Sequence, residues 1–197
     1  KELAIEMADD ASPATVKTEI TKHLEKGAMI WLTNRKGRQF GIPTDKVAYA
    51  HAFVILAAAS LTAAGHPGGP ALLAEAIDVF DTYFWDEDAG MSREQYDRAW
   101  SRCEDYRGVN ANMHTVEAML AAGEVLGDQR YLDRALRIVR RVVHGFARES
   151  DWRLPEHFDA RWQVLPDYNH DQPADQFRPF GVTIGHVLEW SRLALNA

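Results

Sequence analysis

Apolar residues recur along most of the chain at intervals of three or four, which is the spacing of α-helices. The first predicted helix begins at Ser12-Pro13 and ends at Gly27, because proline fits the first turn of a helix and glycine ends helices. A short strand or extended segment is predicted over 29–32, followed by a turn rich in Arg, Lys and Gly over 34–41. The later predicted helices span 45–64, 72–84, 92–103, 110–126, 130–147 and the segment from Val182 onward.

Two of these helices differ in how their apolar residues are distributed. The helix over 45–64 is apolar on nearly every side, which predicts that it is buried rather than amphipathic. The helix over 130–147 has one apolar and one polar side, and we expect the arginines of the polar side to form a solvated face. These arginines are Arg134, Arg137, Arg140 and Arg141.

The segment over 149–179 has no helical period and is rich in Pro, Asp, His and Trp. Loops longer than about 12–15 residues are usually either functional or disordered, and the aromatic residues argue against disorder here. With so little predicted strand, the chain is expected to be all-α, built from paired helices whose connections carry the polar chemistry. The acidic segment over 85–90 lacks the regular oxygen ligands of a calcium loop and is predicted to be a solvated turn.

Composition narrows the class of protein. The 197 residues, of which 46% are hydrophobic and 10% aromatic, are enough for one domain with a buried core. A net charge of −7 argues against nucleic acid or an anionic membrane as the main partner. We expect a cytoplasmic protein, because the sequence has a single cysteine, no long apolar run and no signal peptide. Since the sequence begins with Lys1 and not with Met, the natural N-terminus is expected to lie upstream.

The stretch over 106–114 places an Arg, two Asn and a His at the start of an otherwise apolar helix. Asn110 or Asn112 is predicted to cap this helix, because a short side-chain oxygen can accept a free amide hydrogen of the first turn. His114 and Glu117 are three residues apart and therefore share a helix face. Such a helix start suits hydroxyl-rich or anionic small molecules, but a capped core helix with one hydrogen-bonded histidine fits the pattern as well.

The same arrangement occurs a second time near the end of the chain. Arg178 precedes a helix that carries His186 and Glu189, just as Arg107 precedes the helix of His114. In a His-x-x-Glu pair the carboxylate can orient the imidazole and raise its basicity, and histidine is well suited to proton transfer near neutral pH. The repetition favours acid–base chemistry at these two helices.

The loop between these two helices adds carboxylates, amides and aromatic rings in the segments 156–159 and 167–169 and at Trp162. Aromatic faces can stack on sugar rings, while carboxylates and amides bind hydroxyl groups. These residues predict a sugar site. Anchoring of the loop by Trp162 and Tyr168 is an equally compatible interpretation.

Three strings in this order resemble the N-acylglucosamine 2-epimerase superfamily: YRGVNANMHTVEA from Tyr106, EHFDARWQVLPDYNHDQP from Glu156 and FRPFGVTIGHVLEWSRLAL from Phe177. Within that superfamily they are most similar to the aldose–ketose isomerase branch, which acts on mannose-type sugars. The resemblance covers 46–197, whereas 1–30 match poorly.

The resemblance implies an (α/α)6 barrel, with inner and outer rings of helices around a central sugar pocket, of which 1–197 would form about half as a single domain. It also implies that His186 is an acid/base residue, that His114 helps to open the sugar ring or hold its oxygens, and that Glu189 is the carboxylate beside the base. A second catalytic histidine of the family lies far downstream and has no counterpart in this sequence, so the chain is expected to be a fragment.

The resemblance matches three residues, Tyr49, Asn110 and Arg178, to positions that line the sugar pocket. Together with Arg107 and Trp162 from the patterns above, they are the expected substrate-binding residues. The implied reaction is metal-free and cofactor-free transfer of a proton between C2 and C1 of an open-chain monosaccharide through a cis-enediol.

Other interpretations stay open at this point. A non-catalytic sugar-binding or assembly fragment fits a chain that lacks the downstream histidine. The two His-x-x-Glu pairs are compatible with a metal site in a helical bundle, although no further inward-facing glutamates are evident. Glycoside hydrolysis by a pair of acids such as Asp159 and Asp167 would leave the histidines without a role. The sequence is compatible with a homo-oligomer.

Overall fold

The computed structural model describes residues 12–26, 30–33, 39–42, 45–175 and 178–197, which belong to two compact units. One unit comprises the chain up to Val47 together with Tyr96–Arg102, and the other comprises Ala48–Gln95 and Cys103–Ala197. Gly27 and 29, with 34–38 of the predicted turn, lie outside the described residues.

In the first unit, helix α1 begins where the sequence predicted, and the carbonyl oxygen of Ser12 accepts the amide hydrogen of Val16 at 3.0 Å. Strand β1 confirms the predicted strand and pairs antiparallel with β2. Strand β2 occupies part of the segment predicted as a turn, because pairing with β1 provides partners for its backbone amides and carbonyls. The elements are α1 (Pro13–Lys26), β1 (Ile30–Thr33), β2 (Gln39–Ile42) and β3 (Lys46–Val47).

The second unit is built from five α-helices, which confirms the all-α prediction. Two of them continue directly into π-helical turns, α3 over Phe80–Phe84 and α5 over Arg140–Ala147, so that the combined segments end where the sequence predicted. The helices are α2 (Ala48–Ala63), α3 (Gly69–Val79), α4 (Val109–Leu126), α5 (Gln129–Val139) and α6 (Ile184–Asn196).

Helix α4 lies at the centre of this unit, because α2, α5 and α6 all pack against it while α3 packs against α2. Its side chains at Met113, Val116 and Met119 are fully buried. Helices α2 and α3 approach closely at Gly69, where an added Cβ would lie 2.6 Å from the backbone nitrogen of Thr62. The core of the second unit therefore surrounds the helix whose first turns carry the predicted site.

Helix α2 is not buried on every side, contrary to the prediction from its apolar sequence. Ala52 and Ile55 are buried, but Phe53 and Val54 on the other side are 39% and 41% exposed. Apolar residues on all sides allow burial without enforcing it, since burial also depends on which neighbours are present.

Helix α6 also has an apolar stripe that faces outward. Ile184, Leu188 and Leu195 are 78%, 68% and 89% exposed, whereas Trp190 and Leu193 on the opposite side are buried. None of the described helices combines the length and the hydropathy needed to cross a membrane.

The predicted helix over 92–103 is wrong, because this segment contains short strands and a turn over 98–100. Asn112 explains part of the difference, since its Oδ1 accepts the amide hydrogen of Ser92 at 2.8 Å and its Nδ2 donates to the Ser92 carbonyl at 3.2 Å. Asn112 therefore does not cap α4, and the N-cap residue is Gly108. The short strands here are β4 (Trp85–Asp86), β5 (Met91–Ser92) and β6 (Gln95–Tyr96).

Strand β7 (Tyr106–Gly108) leads directly into α4 and pairs antiparallel with β8 (His157–Asp159). In this register Gly108 lies opposite His157. The segment over 149–179, predicted to lack helices, thus returns to the start of α4. This pairing determines which loop residues reach the site.

The arginines of the segment predicted as a helix over 130–147 do not form a purely solvated face, and this prediction is wrong for three of them, since Arg141 donates to the carbonyl oxygen of Ala89. Arg134 pairs with Asp81 at 2.6 Å and Arg137 pairs with Glu87. Both also lie over the indole ring of Trp85. The acidic turn over 85–90 therefore packs against α5. The local sequence of neither segment indicates this contact, because the two are about 50 residues apart.

Candidate active site

His114 lies on the second turn of α4, and its Nδ1 is 2.9 Å from Oε2 of Glu117. The i,i+3 spacing places both side chains on one helix face, as the sequence predicted. The imidazole meets Tyr49 of α2 edge to face, with ring centroids 4.9 Å apart, and Phe53 at 4.7 Å. Two aromatic rings and one carboxylate therefore hold this imidazole.

His186 lies on the first turn of α6 and has a different partner from the predicted one. Its Nδ1 is 2.8 Å from Oε2 and 3.0 Å from Oε1 of Glu156, so the paired carboxylate is not that of Glu189. The Glu156 side chain is only 4% exposed, and its Oε1 also accepts the amide hydrogen of Thr183, the N-cap residue of α6. Glu156 thus holds both the imidazole and the start of the helix that carries it.

Glu156 reaches this position because of the β7–β8 pairing. It immediately precedes β8, and its own carbonyl oxygen accepts the amide hydrogen of Val109 at the first position of α4. One residue therefore ties the start of α4 to the start of α6. Sequence reasoning placed Glu156 among the loop carboxylates and missed its partner, since no periodic pattern links residues that are 30 apart.

The hydrogen bond to Glu156 raises the pKa of His186, with burial acting in the opposite direction. In both pairs the Nδ1 atom faces a carboxylate, which accepts but cannot donate when ionised. The neutral imidazole then carries its proton on Nδ1, and the lone pair of Nε2 is available as a base. His114 and His186 are therefore prepared for proton transfer through Nε2.

The two pairs are carried by helices α4 and α6, which pack against each other. Nitrogen or oxygen atoms of His114, Glu117 and Glu189 all lie within 4.8 Å of one another, and Glu189 is one helical turn beyond His186. Glu189, which was predicted to lie beside His186, has a carboxylate oxygen in the cluster with His114 and Glu117. Arg192 places its guanidinium 2.5 Å from Glu117 and 3.9 Å from Glu189.

This trio of one imidazole and two carboxylates has the ligand types that divalent transition metals accept. The charge that faces the two carboxylates is the guanidinium of Arg192, so the protein itself already supplies a cation at this position. That no metal takes part remains a prediction.

Asn110 lies one turn before His114 on α4 and therefore shares its helix face. Its Oδ1 is buried and has no hydrogen-bond partner within the described part of the chain. A buried amide oxygen without a partner is costly unless something donates to it, and a sugar hydroxyl is a suitable donor. Asn110 and Tyr49 are the two predicted substrate-binding residues that the structure places beside His114.

Arg107 and Arg178, which were predicted to bind substrate, form hydrogen bonds with groups of the protein other than the two histidine–glutamate pairs. Arg107 is 8% exposed and donates to the carbonyl oxygens of Glu104 at 2.6 Å and Tyr106 at 2.8 Å. Arg178 forms a bidentate pair with Glu104, both bonds 2.8 Å, and stacks 4.0 Å from the ring centroid of Tyr106. Arg178 also donates to the hydroxyl of Tyr168 at 3.2 Å and to Oε1 of Gln95 at 3.4 Å.

Trp162 is 9% exposed and packs against Phe146 and Phe158, with Arg141 over its ring. These contacts match the loop-anchoring interpretation. The prediction that Trp162 stacks on a sugar has no contact with His114 or His186 to support it among the described residues.

Sequence reasoning also missed a buried carboxyl group beneath the site. Glu94 is 7% exposed, its Oε2 accepts the amide hydrogen of Gly108 at 3.0 Å, and burial raises its pKa to about 7. Nearby, His157 must donate from Nε2 to the carbonyl of Pro179, so its Nδ1 accepts from the hydroxyl of Tyr106 at 2.7 Å. No local pattern marks either contact, because the partners are 14 residues apart in the first and 51 residues apart in the second.

Relatives of this chain carry a sugar-isomerase name. The chain is 52% identical over 166 residues to a D-mannose isomerase of Thermobifida fusca, a match that covers 84% of this chain and 41% of the relative. It is also 52% identical over 153 residues to a D-mannose isomerase of Pseudomonas cannabina pv. alisalensis, covering 78% and 37%. The chain thus spans about two fifths of the length of these relatives.

Solved structures show the same fold. A crystal structure of a D-mannose isomerase superposes with a TM-score of 0.74 at 29% identity, covering 90% of this chain and 45% of that one. The cellobiose 2-epimerase of Spirochaeta thermophila superposes with a TM-score of 0.65 at 19% identity and supports the fold alone. These matches confirm the predicted (α/α)6 barrel type, of which this chain forms about half.

The family model for N-acylglucosamine 2-epimerase (GlcNAc 2-epimerase) matches residues 15–197. This range contains both histidines, both of their glutamate partners and every helix of the second unit. The chain belongs to the N-acylglucosamine 2-epimerase family.

Proposed function

We propose that this chain carries acid–base residues of a sugar isomerase that interconverts an aldose and a ketose of the mannose and fructose type. The observation that carries the proposal is a pair of histidines on two helices that pack against each other, each with its Nδ1 at a glutamate, which leaves Nε2 to act as the base. The D-mannose isomerase relatives support the choice of substrate class.

In this proposal His186 moves the proton between carbons. Its Nε2 takes the proton from C2 of the open-chain aldose, the C2–H electron pair forms a C1–C2 double bond, and the carbonyl oxygen O1 gains a proton. The product of this step is a cis-enediol. Return of the proton from the imidazolium to C1, with loss of the O2 proton, gives the ketose. Glu156 stabilises the imidazolium between the two steps.

His114 handles the oxygen-bound protons. A histidine held by Glu117 and flanked by Tyr49 and Phe53 can exchange a proton with the ring oxygen or O1, which opens the cyclic sugar. Asn110 contributes an amide oxygen that accepts a sugar hydroxyl. The proposed roles of His186, His114 and Asn110 require no cofactor.

A second candidate function is sugar binding without turnover. It is favoured by one observation, which is that the chain covers only 41% and 37% of its isomerase relatives. Residues outside the matched segment of those relatives could be needed to complete the reaction.

Incubation of the purified chain with D-mannose separates the two functions. The isomerase proposal expects D-fructose to appear and to be abolished by His186→Ala, while the control His144→Ala, an exposed histidine of the π-helical segment, retains the activity. Imidazole nitrogen NMR on the same samples reports binding directly.

Mannose-dependent shifts of the His114 and His186 signals without ketose would support the binding function. Ketose formation that survives His186→Ala would refute the assigned catalytic role, and the absence of both ketose and shifts would refute both functions.

A further inference from the structure

Arg192 of α6 lies within ion-pair distance of both carboxylates of the cluster beside His114. Its Nη2 is 2.5 Å from Oε1 of Glu117 and 3.9 Å from Oε1 of Glu189. The Arg192 side chain is 55% exposed, whereas that of Glu117 is 19% exposed. One solvent-accessible guanidinium therefore connects α6 to a largely buried carboxylate of α4.

Glu117 uses its two oxygens for two different partners. Oε1 accepts from Arg192, and Oε2 faces Nδ1 of His114 at 2.9 Å. A carboxylate held at one oxygen cannot rotate freely about its terminal bond, so the orientation of Oε2 toward the imidazole depends on the arginine. The chain of contacts runs from Arg192 through Glu117 to His114.

Arg192 offsets part of the negative charge of this cluster. Glu117 and Glu189 contribute two negative charges within 4.8 Å of each other and of an imidazole nitrogen. Like charges this close repel, and an arrangement of two carboxylates and one histidine is a ligand set suited to divalent transition metals. The guanidinium satisfies the same carboxylates without the open coordination positions of a metal ion.

We propose that Arg192 is the built-in cation of this cluster and a positioning residue for His114, and that removing its charge converts His114, Glu117 and Glu189 into a divalent-metal site. The inference rests on the proposed function only for the role of His114, since the cation's place in the cluster follows from the contacts alone. Arg192 therefore sets both the orientation of the imidazole and the kind of cation that this site accepts.

Zinc titration of the purified chain tests whether the charge of Arg192 prevents a divalent metal from binding to His114, Glu117 and Glu189. Wild type and Arg192→Lys, which keeps the charge, are expected to bind Zn²⁺ weakly, whereas Arg192→Met is expected to bind it about tenfold tighter or more. Glu189→Gln added to Arg192→Met should return the affinity to the wild-type value. Arg134→Met is the matched control, because it also removes a cross-helix arginine–carboxylate pair but one without a histidine.

Tautomer measurement tests the positioning role without metal. Imidazole nitrogen NMR of wild type should show His114 protonated on Nδ1, and Arg192→Met or the uncharged donor Arg192→Gln should shift His114 toward the Nε2 protonated form while Arg134→Met does not. Equal zinc affinity in wild type and Arg192→Met, or an unchanged His114 tautomer in both uncharged variants, would overturn the proposal. Neither assay measures turnover, so failure of the isomerase proposal would appear separately.

Discussion

The two histidine–glutamate pairs use the same atoms but are assembled in opposite ways. His114 and Glu117 are three residues apart on α4, so their contact needs only one formed helix. His186 and Glu156 are 30 residues apart, and their contact needs the β7–β8 pairing and the docking of α6. The first pair is local, and the second is a product of tertiary structure.

The two pairs also differ in exposure and in which member has a shifted pKa. Glu156 is almost fully buried, and its hydrogen bond raises the pKa of His186. Glu117 is partly exposed, and although burial acts to raise its pKa, the hydrogen bonds from His114 and Arg192 lower it overall. Two histidine–glutamate pairs that look equivalent in sequence can therefore differ in how much they stabilise the fold and in the pH range over which they do so.

Removal of the tertiary pair should have the largest effect. Glu156→Ala leaves the imidazole of His186 and the amide of Thr183 without their acceptor in a buried place. We expect the free energy of unfolding to fall by about 2–3 kcal/mol, measured by urea denaturation with circular dichroism. Glu149→Ala, at an exposed position of the same segment, should change it by less than about 0.5 kcal/mol. Equal effects from both variants would show that the Glu156 contacts do not stabilise the fold.

Removal of the local pair should cost less. Glu117→Ala breaks contacts with His114 and Arg192, but both partners remain on formed helices and Arg192 can be solvated. The expected loss in the free energy of unfolding is about 1 kcal/mol in the same assay. A loss as large as that of Glu156→Ala would contradict the distinction between the local and the tertiary pair.

The smallest effect should be the opposite pH dependence of the two pairs. The pKa of His186 is raised in the folded state. The His186–Glu156 pair therefore adds its full contribution to the free energy of unfolding below pH 6.5 and loses that contribution as the pH rises through the folded-state pKa. The pKa of Glu117 is lowered in the folded state. The Glu117–His114 pair therefore adds to the free energy of unfolding above pH 4.5 and loses that contribution as the pH falls through the folded-state pKa.

Urea denaturation between about pH 4 and about pH 9 measures both trends. The stability gap between wild type and Glu156→Gln should narrow above pH 6.5, and the gap between wild type and Glu117→Gln should narrow toward and below pH 4.5. Gaps that do not change with pH would show that these ionisations are not linked to folding.

The sequence predicted the elements that local patterns specify. The bounds of α4 and α5, the break at Gly127 and the His114–Glu117 pair follow from helical spacing and end signals that act within a few residues. Gly127 shows the signal directly, since it adopts a left-handed φ of 63° at the end of α4.

Contacts between distant segments were not predictable in the same way. Asn112 looked like a cap because its neighbours were unknown, and its side chain is in fact bonded to Ser92. Glu189 looked like the partner of His186 because it is the nearest carboxylate along the helix, whereas the actual partner arrives with β8. The roles of Arg107 and Arg178 were open for the same reason, since a guanidinium binds whichever acceptor the fold brings to it.

The outward stripe of α6 affects how the molecule behaves in solution. Three aliphatic side chains that are more than two-thirds exposed lie on one helix face, with Ser191 between Leu188 and Leu195, and the net charge of the chain is −7. Salts such as ammonium sulfate strengthen apolar association and screen charge at the same time. We therefore expect ammonium sulfate to promote self-association of this chain through the exposed aliphatic residues of α6.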